Sequence, residues 1–122
     1  MRLFKTKPFA RFAKRERIAD ALLVEAISRA ERGLIDADLG GGVIKQRIAR
    51  PGQGRSGGYR TLIAVRYGDR AIFMTGFAKN ERDNITDNEL ATFKDLAEDW
   101  LGASDVRIAM ELELGNLLEF EK

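Results

Sequence analysis

The sequence of 122 residues contains no cysteine and no histidine, and these two absences exclude many kinds of chemistry. Without cysteine the chain has neither disulfides nor a thiolate nucleophile, which suits a reducing compartment such as the cytoplasm. Without histidine it lacks the central residue of Ser-His-Asp and Cys-His sites, of paired-histidine ribonucleases and of most zinc sites. We therefore expect no metal and no cofactor.

Long apolar runs are also missing. No stretch approaches the roughly 18 apolar residues needed to cross a membrane, and no apolar segment follows the basic N-terminus as in a signal peptide. Apolar residues make up 44% of the chain and charged residues 33%, which is typical of a globular protein. At this length we expect one domain with its own hydrophobic core and no membrane association.

Charge is divided unevenly along the chain. Residues 1–82 carry 18 Lys/Arg against 8 Asp/Glu, and residues 83–122 carry 3 against 11, so a net charge of +2 combines +10 with −8. A basic body with an acidic C-terminal segment is typical of proteins that bind nucleic acid or a partner protein. The alternative is that solvated helical faces differ in charge by chance.

The most unusual stretch is residues 40–60, which hold seven of the twelve glycines and no acid. Its five cations are Lys45, Arg47, Arg50, Arg55 and Arg60. Glycine lets the backbone approach a partner closely, and the planar guanidinium group suits phosphate. The stretch is not a Walker A loop, and it leads into a strand, unlike a dinucleotide fingerprint. It predicts a surface that binds a polyanion such as nucleic acid; the alternative is an ordinary solvated sheet face.

Apolar spacing and capping residues predict the element order β-α-α-β-β-β-α-α. Thr6 caps a first helix, and Gly33 ends a second one. Residues 86–89 form a capping box for a third helix, and Ser104 caps a fourth. The strands are predicted at 2–5, 43–48, 59–67 and 70–78, with a connector at 34–39, a flexible hairpin loop at 51–58 and an extended tail at 117–120. We expect an α+β domain with its helices on one face of an antiparallel sheet.

Strand periodicity brings some of the cations together. Lys45 and Arg47 are two residues apart on a strand and point to the same side, and Arg60 begins the neighbouring strand. Lys79 and Arg82 follow the end of the next strand. Because cations without an intervening acid repel one another, an anion is the expected occupant of the surface that they share.

Aromatic and acidic residues offer fewer candidates for RNA binding or catalysis. Tyr59 and Phe77 could stack on nucleic-acid bases, although strand aromatics are more often buried. Asp36 and Asp38 lie in a connector, where paired aspartates usually make turns or caps. Glu81 is expected to form a local ion pair with its neighbour Arg82.

With these residues in view, the chain resembles the HigB-type branch of the RelE/ParE superfamily, the toxins of bacterial type II toxin–antitoxin pairs. The matching stretches are 4–7, 38–43, 45–50, 54–60 and 76–85, within roughly residues 3–101. The resemblance implies a RelE-like α+β fold, with an N-terminal helical hairpin packed on a small antiparallel sheet and C-terminal helices. Residues 1–102 correspond to the toxin domain, and residues 103–122 to an acidic helix and tail of the same single domain.

The resemblance implies a metal-independent endoribonuclease that cuts messenger RNA on the ribosome with basic residues. The implied catalytic residues are Lys45, Arg47, Arg60 and Lys79, and Arg82 matches a further cation of the family. From the glycine-rich stretch itself, we expect Arg50, Arg55 and Tyr59 to bind the RNA together with Arg82. Asn80 and Thr86 stand where the best-known RelE toxins carry arginine and tyrosine. The identity of the general base is therefore open. Lys45 and Lys79 are both candidates, because nearby positive charge favours the neutral form of an amine, which can accept a proton.

The same resemblance implies several partners. These are messenger RNA, the ribosome, a cognate helix-turn-helix antitoxin that covers the basic face, and operator DNA bound through that antitoxin, all in the cytoplasm. Two alternatives remain open: a non-catalytic ParE-like inhibitor of DNA gyrase on the same fold, and a plain basic nucleic-acid-binding module.

Overall fold

The computed structural model describes residues 1–50, 52, 54–82 and 84–122. Its elements are β1 (Arg2–Thr6), α1 (Lys7–Glu16), α2 (Asp20–Glu31), β2 (Ala37–Gly40), β3 (Val43–Arg50), β4 (Gly54–Arg66), β5 (Arg70–Ala78), α3 (Asp87–Gly102), α4 (Asp105–Leu114) and β6 (Leu117–Phe120). The strands form one sheet in the order β2-β3-β4-β5-β1-β6. The pairing is antiparallel except between β1 and β5, which run parallel. The predicted α+β class, with an N-terminal helical hairpin and C-terminal helices, is confirmed.

Helices cover both faces of this sheet, so the expectation of helices on one face is wrong. The helices α1 and α2 bury Phe9 and Ile27 against one face of the sheet, whereas α3 and α4 bury Trp100 and Ile108 against the other. The sequence signal for this arrangement is the continuous apolar run at 62–65, all of it buried. A strand with one solvated face would alternate apolar and polar residues there instead.

Capping residues set the helix boundaries as predicted. The Thr6 hydroxyl accepts a hydrogen bond from the Phe9 N–H at 3.3 Å. Thr86 and Glu89 satisfy each other's backbone N–H groups in a capping box, at 3.1 and 2.8 Å. The Ser104 hydroxyl accepts from the Arg107 N–H at 3.1 Å. Each cap satisfies an N–H group that has no partner within the first turn of its helix.

Three segments differ from the prediction. The second half of the connector expected at 34–39 lies in β2 (Ala37–Gly40), which pairs with the start of β3. The expected tail is β6, which pairs with β1 and buries Leu117 and Phe120. Strand β4 begins at Gly54, so the hairpin loop expected at 51–58 is shorter; Pro51 and Gln53 lie outside the described residues.

Gly58 allows β3 and β4 to meet closely beside this hairpin. A Cβ atom at Gly58 would lie 2.1 Å from the Ile48 carbonyl oxygen. The register of the two strands also shifts between Ile48 and Arg50. A glycine is therefore required here by close backbone approach. Among the described residues, no helix is both long and apolar enough to cross a membrane.

Candidate nucleic-acid interface

Towards the β3–β4 hairpin, the sheet face that packs on α3 and α4 becomes polar and cationic. Arg47 on β3, Arg60 on β4 and Phe77 on β5 stand directly opposite one another across three strands. The next row along the same face contains Lys45, Leu62 and Thr75. Because adjacent strands lie about 4.8 Å apart, the two rows place three cations within one small area. We call Lys45, Arg47, Arg60 and Lys79 the basic face.

Each cation of the basic face has a distinct environment. The Lys45 ammonium lies 3.5 Å from the Asn84 side-chain oxygen, and Arg47 is exposed. Arg60 is only 7% exposed, and its guanidinium group donates to the Arg55 carbonyl at 3.3 Å. Lys79 is exposed, and its backbone N–H donates to the Gly58 carbonyl at 3.1 Å, which places it at the hairpin end of the sheet. Of the predicted catalytic set, Lys45, Arg47 and Arg60 therefore lie on neighbouring strands and on one face, and Lys79 follows the end of the next strand.

The backbone of Arg47 is bound, at the edge of β3, by a network of side chains that the sequence did not predict. The Asp36 carboxylate accepts from the Arg47 backbone N–H at 2.7 Å, and the guanidinium group of buried Arg29 donates to the Arg47 carbonyl. The Arg29 guanidinium group also lies 3.5 Å from Asp36 and 2.8 Å from Glu25. Strand β2 pairs with β3 only as far as Lys45, so these side chains replace a neighbouring strand at Arg47. The sequence placed Asp36 in a polar connector at 34–39 and did not indicate that it would contact the Arg47 backbone.

Arg82 lies beside the basic face, but its charge is already neutralised. Its guanidinium group binds Glu89 bidentately, at 2.6 and 3.0 Å, and lies 5.2 Å from the centre of the Phe77 ring. Hydrogen bonds from Arg82 and from the Thr86 backbone lower the pKa of Glu89 to about 2. Through its contacts with Phe77 and Glu89, Arg82 thus links β5 to the first turn of α3. The expected ion pair with Glu81 is not formed among the described residues, where Arg82 binds Glu89 instead.

Tyr59 and Arg50 lie on the face of the sheet opposite the basic face, and their contacts with RNA stay predictions. Tyr59 is 3% exposed and packs edge-on against Phe12, with ring centres 5.6 Å apart. Burial raises the pKa of its hydroxyl group. Arg50 lies over the Tyr59 ring at 5.6 Å. Side chains alternate between the two faces along a strand. Arg50 is three residues from Arg47 on β3, and Tyr59 is one residue from Arg60 on β4, so both lie on the face opposite those arginines. Arg55 is exposed at the start of β4.

A largely apolar groove of about 620 Å³ lies next to the basic face, between α3, α4 and the start of α1. Thr75 and Phe93 line it, and its arginine, Arg107, is bound by Asp99 at 2.6 and 2.8 Å. Its other cation, Lys7, is exposed. The groove therefore contains two cations, fewer than the basic face.

Fold and site together define a small α+β protein with a cluster of cations on one face of its sheet. The model of the RelE toxin of the RelE/RelB toxin–antitoxin system matches residues 1–120, so the chain belongs to the RelE toxin family. This match includes α4 and β6. Family membership implies a cognate antitoxin. No curated protein matches the chain significantly.

Proposed function

We propose that this toxin is a HigB-type, metal-independent endoribonuclease that cuts messenger RNA on the ribosome and so inhibits translation. The observation that supports the proposal is the basic face: Arg47 and Arg60 paired across two strands, with Lys45 and Lys79 on either side. The two arginines offer planar donors suited to a phosphodiester. The proposed reaction takes place in the cytoplasm, where messenger RNA is translated.

The reaction that suits these residues is internal transfer of the phosphodiester. The 2′-hydroxyl oxygen attacks the adjacent phosphorus, the bond from phosphorus to the 5′-oxygen breaks, and the products are a 2′,3′-cyclic phosphate and a 5′-hydroxyl. One group must accept the proton of the 2′-hydroxyl, and another must donate a proton to the leaving 5′-oxygen. Arg47 and Arg60 would stabilise the negative charge that develops on the phosphorane.

Lys45 and Lys79 are the two candidates for proton transfer. Lys45 lies within the paired part of β3 and is close to Asn84, whereas Lys79 follows the last residue of β5. These positions place them at different ends of the basic face. With a scissile phosphate bound by Arg47 and Arg60, one of these lysines would accept the proton of the 2′-hydroxyl and the other would donate a proton to the 5′-oxygen.

Cleavage mapping in a purified translation system tests this proposal. Wild-type protein should give cuts at defined positions within ribosome-bound messenger RNA, and Arg47→Ala should slow cleavage by about 100- to 1,000-fold, as for loss of one oxyanion donor. Arg32→Ala is the matched control, since Arg32 is an exposed arginine at the end of α2, on the opposite face of the sheet. Inhibition of DNA supercoiling without any RNA cleavage would instead support a gyrase inhibitor.

The proposed partners follow from the same assignment. The messenger RNA and the ribosome would meet the basic face, and a helix-turn-helix antitoxin would neutralise the toxin and carry it to operator DNA. Co-purification with the product of an adjacent reading frame, followed by a gel-shift assay on the operator sequence, would test the last step.

A further inference from the structure

A pocket of about 520 Å³ lies where α1 turns into α2, on the opposite side of the sheet from the basic face. Part of its lining is apolar and comes from the start of α2 and from β3. The rest is cationic and comes from the end of α1 and the end of β3. The apolar residues include Ile18, Leu22 and Ala49, and the cations are Arg15, Arg17 and Arg50. We call this the corner pocket.

The positive charge of the corner pocket is only partly neutralised. Arg15 lies 3.6 Å from Glu16, which is the one carboxylate among the described residues that line the pocket. Arg17 and Arg50 form no ion pair with any residue that the structure describes. Two guanidinium groups are therefore left beside an apolar surface, and they favour a ligand that carries negative charge.

Arg17 occupies a backbone conformation that is unusual for an arginine. It ends α1 with φ 57° and ψ 43°, and it is the one non-glycine residue with a positive φ in the described part of the chain. Glycine or asparagine is usual at such a helix end, because a larger side chain is strained there. The Arg17 N–H donates to the carbonyls of Ala13 and Lys14, which a glycine could do equally well. The helix end therefore does not explain the arginine side chain, and strain of this kind is often found at functional sites.

Arg50 adds a surface on which a nucleobase can stack. Its guanidinium group lies 5.6 Å from the centre of the Tyr59 ring, which is buried beneath it. The Tyr59 hydroxyl lies 3.5 Å from the Glu16 carbonyl, so the ring is fixed in place. RNA-binding proteins stack bases on arginine side chains as well as on aromatic rings. The corner pocket thus offers a stacking surface beside two free cations, which suits a base and its phosphate.

The tip of the β3–β4 hairpin connects the basic face to the corner pocket. No aspartate or glutamate occurs between residues 39 and 68. Arg55 is exposed at the start of β4, and its carbonyl accepts from Arg60 of the basic face at 3.3 Å. Arg50 ends β3 beside the same hairpin. Cations therefore follow one another around the tip from one face of the sheet to the other.

The other way around β3 is less suited to a polyanion. Beside Arg47, the edge of this strand carries Asp36 and Glu25, whose side chains are 26% and 51% exposed. These carboxylates would repel phosphate groups at close range. An RNA strand that leaves the basic face is therefore expected to pass the hairpin tip rather than this edge.

We propose that the corner pocket binds a nucleotide of the messenger RNA that flanks the scissile bond. Its phosphate would meet Arg17 and Arg50, and its base would stack on the Arg50 guanidinium group. This inference rests on the proposed function, because it takes the cleaved RNA as the ligand. Only an RNA long enough to pass around the hairpin can occupy both the basic face and the corner pocket.

Affinity for RNA of two lengths tests this proposal. Strands with 2′-O-methyl groups lack the attacking hydroxyl, and lengths of about four and about twelve nucleotides differ in whether they can reach both sites. Arg17→Gln should weaken binding of the longer RNA by about tenfold, as for loss of one charged hydrogen bond, and leave the shorter RNA nearly unaffected. Arg32→Gln is the matched control, because Arg32 is an exposed arginine at the other end of α2, about 18 Å along that helix.

Arg17→Gly separates RNA binding from a structural role. Glycine adopts the left-handed conformation without strain, so the melting temperature of the free protein should rise by about 2–4 °C. The same variant should bind the longer RNA as weakly as Arg17→Gln does. If the arginine served the fold alone, the glycine variant would bind this RNA as wild type does.

Two results would overturn the proposal. The first is equal affinity of wild type and Arg17→Gln for the longer RNA. The second is a variant that binds free RNA of both lengths normally but cleaves ribosome-bound messenger RNA more slowly, which would make the corner pocket a contact with the ribosome. Failure of the proposed function gives a different result: wild-type protein would cut no messenger RNA, while the affinities for the two lengths would still report on the corner pocket.

Discussion

At the scale of single residues, the contact between Asp36 and the Arg47 backbone links the fold to the proposed chemistry. Asp36→Ala removes the acceptor of the Arg47 N–H, and we expect it to lower the free energy of unfolding by about 1–3 kcal/mol. It should also slow cleavage more than it weakens RNA binding, because Arg47 would lose its fixed position. Urea denaturation and single-turnover cleavage measure the two effects.

The conservative variant Asp36→Asn separates positioning from a general loss of stability. Its amide oxygen can still accept from the Arg47 N–H, although the charge opposite Arg29 is lost. We expect it to restore most of the cleavage rate. Equal cleavage by the alanine and asparagine variants would show that the hydrogen bond does not position Arg47.

Gly58 gives a second prediction at this scale. In Gly58→Ala, the added methyl group would lie 2.1 Å from the Ile48 carbonyl oxygen and 2.9 Å from that of Gly54, so β3 and β4 must move apart. We expect a loss of about 1–3 kcal/mol, typical of overpacking, measured by urea denaturation. Gly102→Ala is the control, because nothing lies within 4 Å of the Cβ atom there. A stable Gly58→Ala protein would contradict the close approach of the strands.

At the scale of elements, the start of α3 should respond to acid. Arg82 and the Thr86 backbone lower the pKa of Glu89 to about 2, well below the usual value of about 4.5. A carboxylate with a lowered pKa stabilises the fold fully above its unfolded pKa, and this contribution disappears as the pH falls towards the folded value. The melting temperature should therefore fall between about pH 4.5 and pH 2. In Glu89→Gln that fall should be smaller; an identical pH profile in the two proteins would contradict it.

Helix boundaries were predictable because they depend on residues close in sequence. Thr6, Thr86 and Ser104 each cap the helix that the local pattern indicated. The strands β2 and β6 were missed because their pairing is decided by distant residues. Leu117 on β6 pairs with Thr6, more than a hundred positions away. At four residues, β6 is also too short to show a clear alternation of apolar and polar side chains.

At the scale of the whole molecule, the alternation of side chains along the strands predicted only part of the candidate site. Lys45 and Arg47 share a face because they are two residues apart on one strand, and the register of β3 and β4 brings Arg60 opposite Arg47. Arg50 was expected beyond the end of the strand at 43–48, but β3 continues to that residue, whose side chain lies on the other face. The hydrogen bond of Asp36 to Arg47 depends on how α2 and β2 meet β3, which no local pattern reports.

The placement of charge over the whole molecule predicts how salt affects RNA binding. A single-stranded RNA with 2′-O-methyl groups lacks the attacking hydroxyl, so it reports binding without cleavage. The logarithm of its affinity should fall linearly with the logarithm of salt concentration, with a slope of about −0.7 for each phosphate contact. Lys79→Gln should therefore make the slope shallower by about 0.7 and weaken binding to all RNA sequences alike.

Arg32→Gln tests whether this change comes from the basic face rather than from total charge. Both substitutions remove one exposed cation, and both leave the same net charge. If phosphate sits on the face formed by β3, β4 and β5, only Lys79→Gln alters the slope, because a counterion is released only where a cation meets the RNA. Equal slopes in the two variants would mean that RNA senses the overall charge of the chain, and the basic face would then have no special part in binding.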